Sequence, residues 1–240
     1  MSERSLLLRV CLASIILSTI VAAVVLKLPV ESGGAARPTV VFVDDGVTVS
    51  TKPKLIVLNN AGKSGEHFND LYVSFYGAKS TPSRDIVIDV VAENGIAQPA
   101  EIARAIHVAI DEDADIVNIS LSIEKSTDEL EEAIAAASRK GIMVVAATQS
   151  GLEKVNSYPA AFDSVIGVYP RPSVKDEYWF SNPVGADFGM VVPPEGGSSL
   201  AAVLATAKIV ECVGDPKQGK MSVLSLLYKC SDGPEVVRLS

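Results

Sequence analysis

Three stretches of the chain carry residue types able to do chemistry. Asp44-Asp45-Gly46 directly follows the apolar run of residues 40–43. A carboxylate there stands at the carboxyl end of a strand, although Asp-Gly is also an ordinary turn. His67 follows a loop rich in Asn, Gly and Ser, and is either a general base at a helix start or a solvated loop histidine. Gly196-Gly197-Ser198-Ser199-Leu200-Ala201-Ala202 is the sharpest of the three. Two glycines let the chain turn tightly, and a small-residue helix follows. A serine at its start meets the dipole's positive end and free N–H groups, which favour a developing oxyanion. Ser198 or Ser199 can equally serve as a plain helix cap. His107 falls inside a helical pattern and is assigned no chemistry.

The elements that must position these residues alternate between strand and helix. Residues 40–43, 86–91, 116–121, 142–147 and 165–168 are nearly continuous apolar runs, as expected for strands covered on both faces. Residues 99–111 and 127–140 have helical periodicity, and 199–213 and 218–229 are two further helices. Ser126 or Thr127 can cap the second helix, Arg139 and Lys140 suit its end, and Gly141 stops it. The alternation predicts an α/β fold with a mainly parallel sheet, whose sites lie at the carboxyl ends of strands.

Ahead of this body, residues 10–26 form an uncharged run between Arg9 and Lys27. At 1.5 Å per residue it reaches about 26 Å as a helix. Residues 1–30 are read as a signal anchor or signal peptide, 31–38 as a linker and 39–240 as the folded domain. Arg4 and Arg9 precede the run, which puts the domain outside the cytoplasm, periplasmic or extracellular. Only the linker separates the run from the first strand.

Composition narrows the function. The 240 residues are 48% hydrophobic and 21% charged, which excludes a disordered chain. Beyond residue 38 there are 17 basic and 27 acidic residues, a net charge of −10. An acidic body with 5% aromatic residues is a poor partner for nucleic acid. Three cysteines without a Cys-x-x-Cys pair and two histidines give no metal centre, and no cofactor is expected. Cys212 and Cys230, near the ends of the last two helices, are either bridged or two independent thiols.

The motifs together resemble the subtilisin-like serine peptidases, in that family's order of Asp, His and Ser. Val41-Phe42-Val43-Asp44-Asp45-Gly46 is similar to the strand ending in the family's catalytic Asp. Ile116-Val117-Asn118-Ile119-Ser120-Leu121-Ser122 is similar to its substrate-flanking strand. Val144-Val145-Ala146-Ala147-Thr148-Gln149 is similar to the strand ending in its oxyanion Asn. Tyr158-Pro159-Ala160 and Phe180-Ser181-Asn182 match two shorter motifs, and Ser199 takes the nucleophile's place. The resemblance implies a three-layer fold and an endopeptidase acting on polypeptide through an acyl-enzyme, which the N-terminal run would anchor to the membrane. The family commonly carries a folding propeptide before this domain, and the short linker leaves no room for one here, so the domain would fold unaided, use an activating protein partner, or stay inactive until engaged. Asp44, His67 and Ser199 would be catalytic, Gln149 an oxyanion donor, and Ser120, Leu121, Ser122, Ala147 and Thr148 the substrate-binding residues. The chain departs from the pattern at Phe68 after the histidine, at Gln149 for Asn, at Ser122 and Thr148 for two glycines, and at Val203 for a proline. Ser122 and Thr148 are expected to narrow the specificity pocket. The departures leave open a second reading, a subtilase-like binding or scaffold domain that has lost efficient hydrolysis.

Overall fold

The computed structural model describes residues 38–44, 71, 74–75, 77–78, 84–92, 96–149, 156–171, 185–193, 196–230 and 236–238. His67, Phe68, the Phe180-Ser181-Asn182 motif, the N-terminal apolar segment and all of the linker except Pro38 lie outside these residues. No helix among the described residues is long and apolar enough to cross a membrane.

A seven-stranded sheet organises the domain. Its strands are β1 (Thr39–Asp44), β2 (Arg84–Asp89), β3 (Ile116–Ile119), β4 (Met143–Ala147), β5 (Val165–Arg171), β6 (Phe188–Val191) and β7 (Val236–Arg238), in the spatial order β2-β1-β3-β4-β5-β6-β7. Every pairing is parallel except the edge pair β6–β7. The parallel part carries the apolar runs expected of strands buried on both faces. The sheet is longer than expected, because β6 and β7 are short and offer no extended apolar run.

The helices are α1 (Pro99–Asp111), α2 (Asp128–Arg139), α3 (Ser198–Cys212) and α4 (Lys220–Cys230). Helix α1 has the expected bounds, with Pro99 at a first-turn position where its missing N–H costs nothing. Thr127 caps α2, its hydroxyl accepting from the Leu130 N–H at 3.3 Å. Helix α4 begins two residues later than expected, after a short 3₁₀ turn at Pro216–Gln218.

Strand alternation sends side chains to two separate cores. Val41, Val43, Val117 and Ile119 pack with Ile102, Ile106, Leu130 and Ile134 of α1 and α2. Val40, Phe42, Ile116 and Val145 face the opposite way and pack with α3 and α4. Full burial of each large aliphatic side chain contributes about 1.5–3 kcal/mol. Gly167 on β5 is obligatory, since a Cβ there would lie 1.6 Å from the Gly185 carbonyl oxygen. Cys212 and Cys230 are bridged, tying the end of α3 to the end of α4 across a Cα separation of 5.7 Å.

Candidate functional site

The site gathers at the carboxyl edge of the sheet, around the start of α3. Gly197 is the N-cap of that helix, with extended backbone angles (φ −91°, ψ −171°) and no side-chain cap. Neither serine caps, and Ser199 is the second helical residue. The first intrahelical bond in this turn runs from the Ala201 N–H to the Gly197 carbonyl. The N–H groups of Ser198, Ser199 and Leu200 therefore have no acceptor within the helix, the arrangement that favours an anion at a helix start.

The Ser199 hydroxyl donates to the backbone carbonyl of Ser120 at 2.6 Å, joining residues 79 apart in sequence. Ser120 lies just past β3, and its own N–H donates to the Val43 carbonyl at 3.3 Å. Asp44 is the last residue of β1 and is 3% exposed. Its carbonyl accepts from the Val90 N–H at 3.0 Å, and its register partner on β2 is Asp89. Asp44, Ser120 and Ser199 thus share one edge of adjacent elements. His67, expected between Asp44 and Ser199, lies outside the described residues.

The β3–β4 ladder ends at the pair Ile119 and Ala146. Beyond it the two chains bond to different partners. Ile123 forms an antiparallel bridge with Tyr158, with both N–H···O distances at 2.9 Å. Thr148 stays with β5, donating through both its N–H (3.0 Å) and its hydroxyl (3.1 Å) to the Val168 carbonyl. Leu121 and Ser122 are half-buried on one side of this opening, and Ala147 and Thr148 are buried on the other.

Gln149 is exposed, two residues past β4, and its N–H donates to the Ser157 hydroxyl at 2.7 Å. Its side-chain amide bonds to no described residue. Ser157 is itself 1% exposed and therefore a fixed support for the Gln149 backbone. Sequence reasoning passed over it, since a serine before Tyr158-Pro159 signals only a turn. Asn118 and Thr206 were passed over as well. Both are fully buried, and they lie 2.8 Å apart across the β3–α3 contact. A polar residue inside the apolar run Ile116–Ile119 was the one available signal.

No family model matches the chain. It is similar to the major intracellular serine protease of Bacillus subtilis (strain 168), with 30% identity over 151 residues covering 61% of this chain and 46% of that protein. It is also similar to subtilisin DY of Bacillus licheniformis, with 34% identity over 110 residues covering 44% of this chain and 40% of that protein. The chain spans less than half the length of these curated relatives. Among solved structures, the self-cleaved protease domain of PatA aligns with a TM-score of 0.58 and 17% identity, covering 82% of this chain and 97% of that one. The prenylagaramide maturation protease PagA aligns with a TM-score of 0.56 and 19% identity, covering 82% of this chain and 79% of that one. At these identities the structural likeness is one of fold. In sequence the chain is thus similar to curated subtilisins over part of its length, and its fold is that of subtilisin-like proteases.

Proposed function

We propose that the chain is a serine endopeptidase that cleaves polypeptide through an acyl-enzyme. The observation that carries this reading is the seat of Ser199: a hydroxyl at the second position of a helix, beside N–H groups that have no acceptor within the helix, resting on the carbonyl of Ser120. In the proposed reaction His67 takes the Ser199 proton and Asp44 orients the resulting imidazolium. Ser199 Oγ then attacks the scissile carbonyl. The Ser199 N–H and the Gln149 amide receive the developing oxyanion. His67 returns its proton to the leaving amine, and water later releases the acyl group by the same exchange. To enter this sequence the Ser199 hydroxyl must leave the Ser120 carbonyl. Substrate lies extended in the opening between residues 120–122 and 147–149, where the two chains no longer pair with each other.

The N-terminal apolar segment is proposed as the anchor of a single-pass protein whose catalytic domain lies outside the cytoplasm. An activating protein partner belongs to the same proposal. A second reading, a domain that binds polypeptide without hydrolysing it, is favoured by the Ser199 proton being held on a main-chain carbonyl and by a Gln149 amide that is exposed and bonds to no described residue.

Incubating the full chain with a peptide library and sequencing the products tests the proposal. Cleavage after small residues, abolished by Ser199→Ala, is expected, because Ser122 and Thr148 carry side chains where the family has glycine. Efficient cleavage after Phe or Leu would overturn the narrowed pocket. Binding without cleavage would favour the second reading.

A further inference from the structure

We propose that Asn118 and Thr206 are a positioning pair that sets the register of α3, and with it Ser199, against the strand carrying Ser120. This inference rests on the peptidase reading of Ser199.

Helix α3 is sheathed in small apolar residues, among them Ala201, Ala202, Ala205 and Ala207, all fully buried. The attraction between such surfaces scales with area and has no direction, so it leaves the slide and rotation of the helix poorly defined. Directional contacts must set them. Ser199 and Thr206 are seven residues apart, two turns along one face of the helix. Both meet the β3 segment. Ser199 Oγ donates to the Ser120 carbonyl at 2.6 Å. Thr206 Oγ1 lies 2.8 Å from Asn118 Oδ1 and 2.9 Å from the Ala202 carbonyl, and its single proton serves one acceptor at a time.

Asn118 closes the circuit, its Nδ2 donating to Ser120 Oγ at 2.6 Å. Turning the amide end for end preserves every link. Asn118 Nδ2 then donates to Thr206 Oγ1, the Thr206 proton goes to Ala202, and Ser120 Oγ donates to Asn118 Oδ1. In either orientation a polar loop of Ser199, Ser120, Asn118 and Thr206 pins the helix at two points. Without the Thr206 hydroxyl, one end of a fully buried amide loses its partner. The helix can relieve that by shifting, and the nucleophile shifts with it. A misplacement of about 1 Å can cost about 10²-fold in rate. Neither Asn118 nor Thr206 touches substrate, and both act through Ser199.

The test compares the rate of fluorophosphonate labelling at Ser199 with the thermal midpoint, for the full chain, Thr206→Val and Thr206→Ser. Thr206→Val keeps the volume and loses the hydroxyl, so labelling should slow by about tenfold or more. Thr206→Ser keeps the hydroxyl and loses a methyl, so labelling should stay near the parental rate while the midpoint falls. Thr206→Ala, which also removes the hydroxyl, replaces Thr206→Val if that variant does not fold, with the same expectation. Labelling rates that merely follow the midpoints, or a parental rate in a folded Thr206→Val, would overturn the pair's role alone. An unlabelled but folded parent would overturn the peptidase reading, and with it any nucleophile to position.

Discussion

The two faces of the sheet are built differently. On the face covered by α1 and α2, the packed residues named from both helices and from β1 and β3 are aliphatic. On the face covered by α3 and α4, Asn118 and Thr206 are set into the apolar layer, and the bridge Cys212–Cys230 ties the two helices together. Both faces bury their large side chains fully, so hydrophobic burial alone does not distinguish them. The difference lies in what each helix must deliver. Helices α1 and α2 cover strands and carry none of the proposed catalytic residues. Helix α3 presents Ser199 to the Ser120 segment, and direction as well as area must be specified there.

The comparison predicts a separation of effects on reactivity and stability. The largest is Ser199→Ala, which should lower turnover by a factor on the order of 10⁶ while the thermal midpoint falls only by the loss of one hydrogen bond, about 1 kcal/mol. Ile106→Ala, on the α1 face, should cost about 2–5 kcal/mol of stability by leaving a cavity, and leave Ser199 labelling unchanged below the midpoint. Slowed labelling in that variant at a temperature where it is folded would erase the distinction between the faces. Reducing Cys212–Cys230 should lower stability by about 3 kcal/mol, read from denaturant midpoints with and without reductant. Gln149→Asn, which shortens the amide by one methylene, should raise turnover by up to about tenfold with the midpoint unchanged.

The smallest effect belongs to the amino edge of the sheet, far from the site. Lys217 sits 3.3 Å from Asp115 and 3.5 Å from Asp113. Desolvation pulls its pKa down, but the hydrogen bond and charge of Asp115, joined by Asp113, outweigh that and raise it above the ordinary lysine value. A raised folded-state pKa means the stabilisation is fully present below the unfolded lysine range. It is lost as pH rises through the folded value. The gap in midpoint between the parent and Lys217→Met should therefore be small and should close at alkaline pH, with no change in labelling. A gap that widens with pH would contradict the assignment.

Much of this was legible in the sequence because period and punctuation are local. The bounds of α1, the Thr127 cap and the five parallel strands through 165–168 follow from apolar runs, caps and stops. The strand β6 was not legible, since Phe-Gly-Met-Val offers neither length nor alternation. The role of Ser199 was half legible. Its sequence setting allowed a cap or a presented hydroxyl, and only the fold shows Gly197 taking the cap position and Ser199 turning to Ser120. Contacts across 88 residues, such as Thr206 with Asn118, leave no local trace beyond a polar residue in an apolar run.

The most direct test of the central claim is the intact mass of the full chain after exposure to a fluorophosphonate. It is compared with Ser199→Ala, the folding of both being checked by circular dichroism. Such a probe captures a serine whose proton a neighbouring base can take. The account predicts one adduct on the parent and none on the variant. A folded parent that stays unmodified, or an adduct that persists in Ser199→Ala, would contradict it.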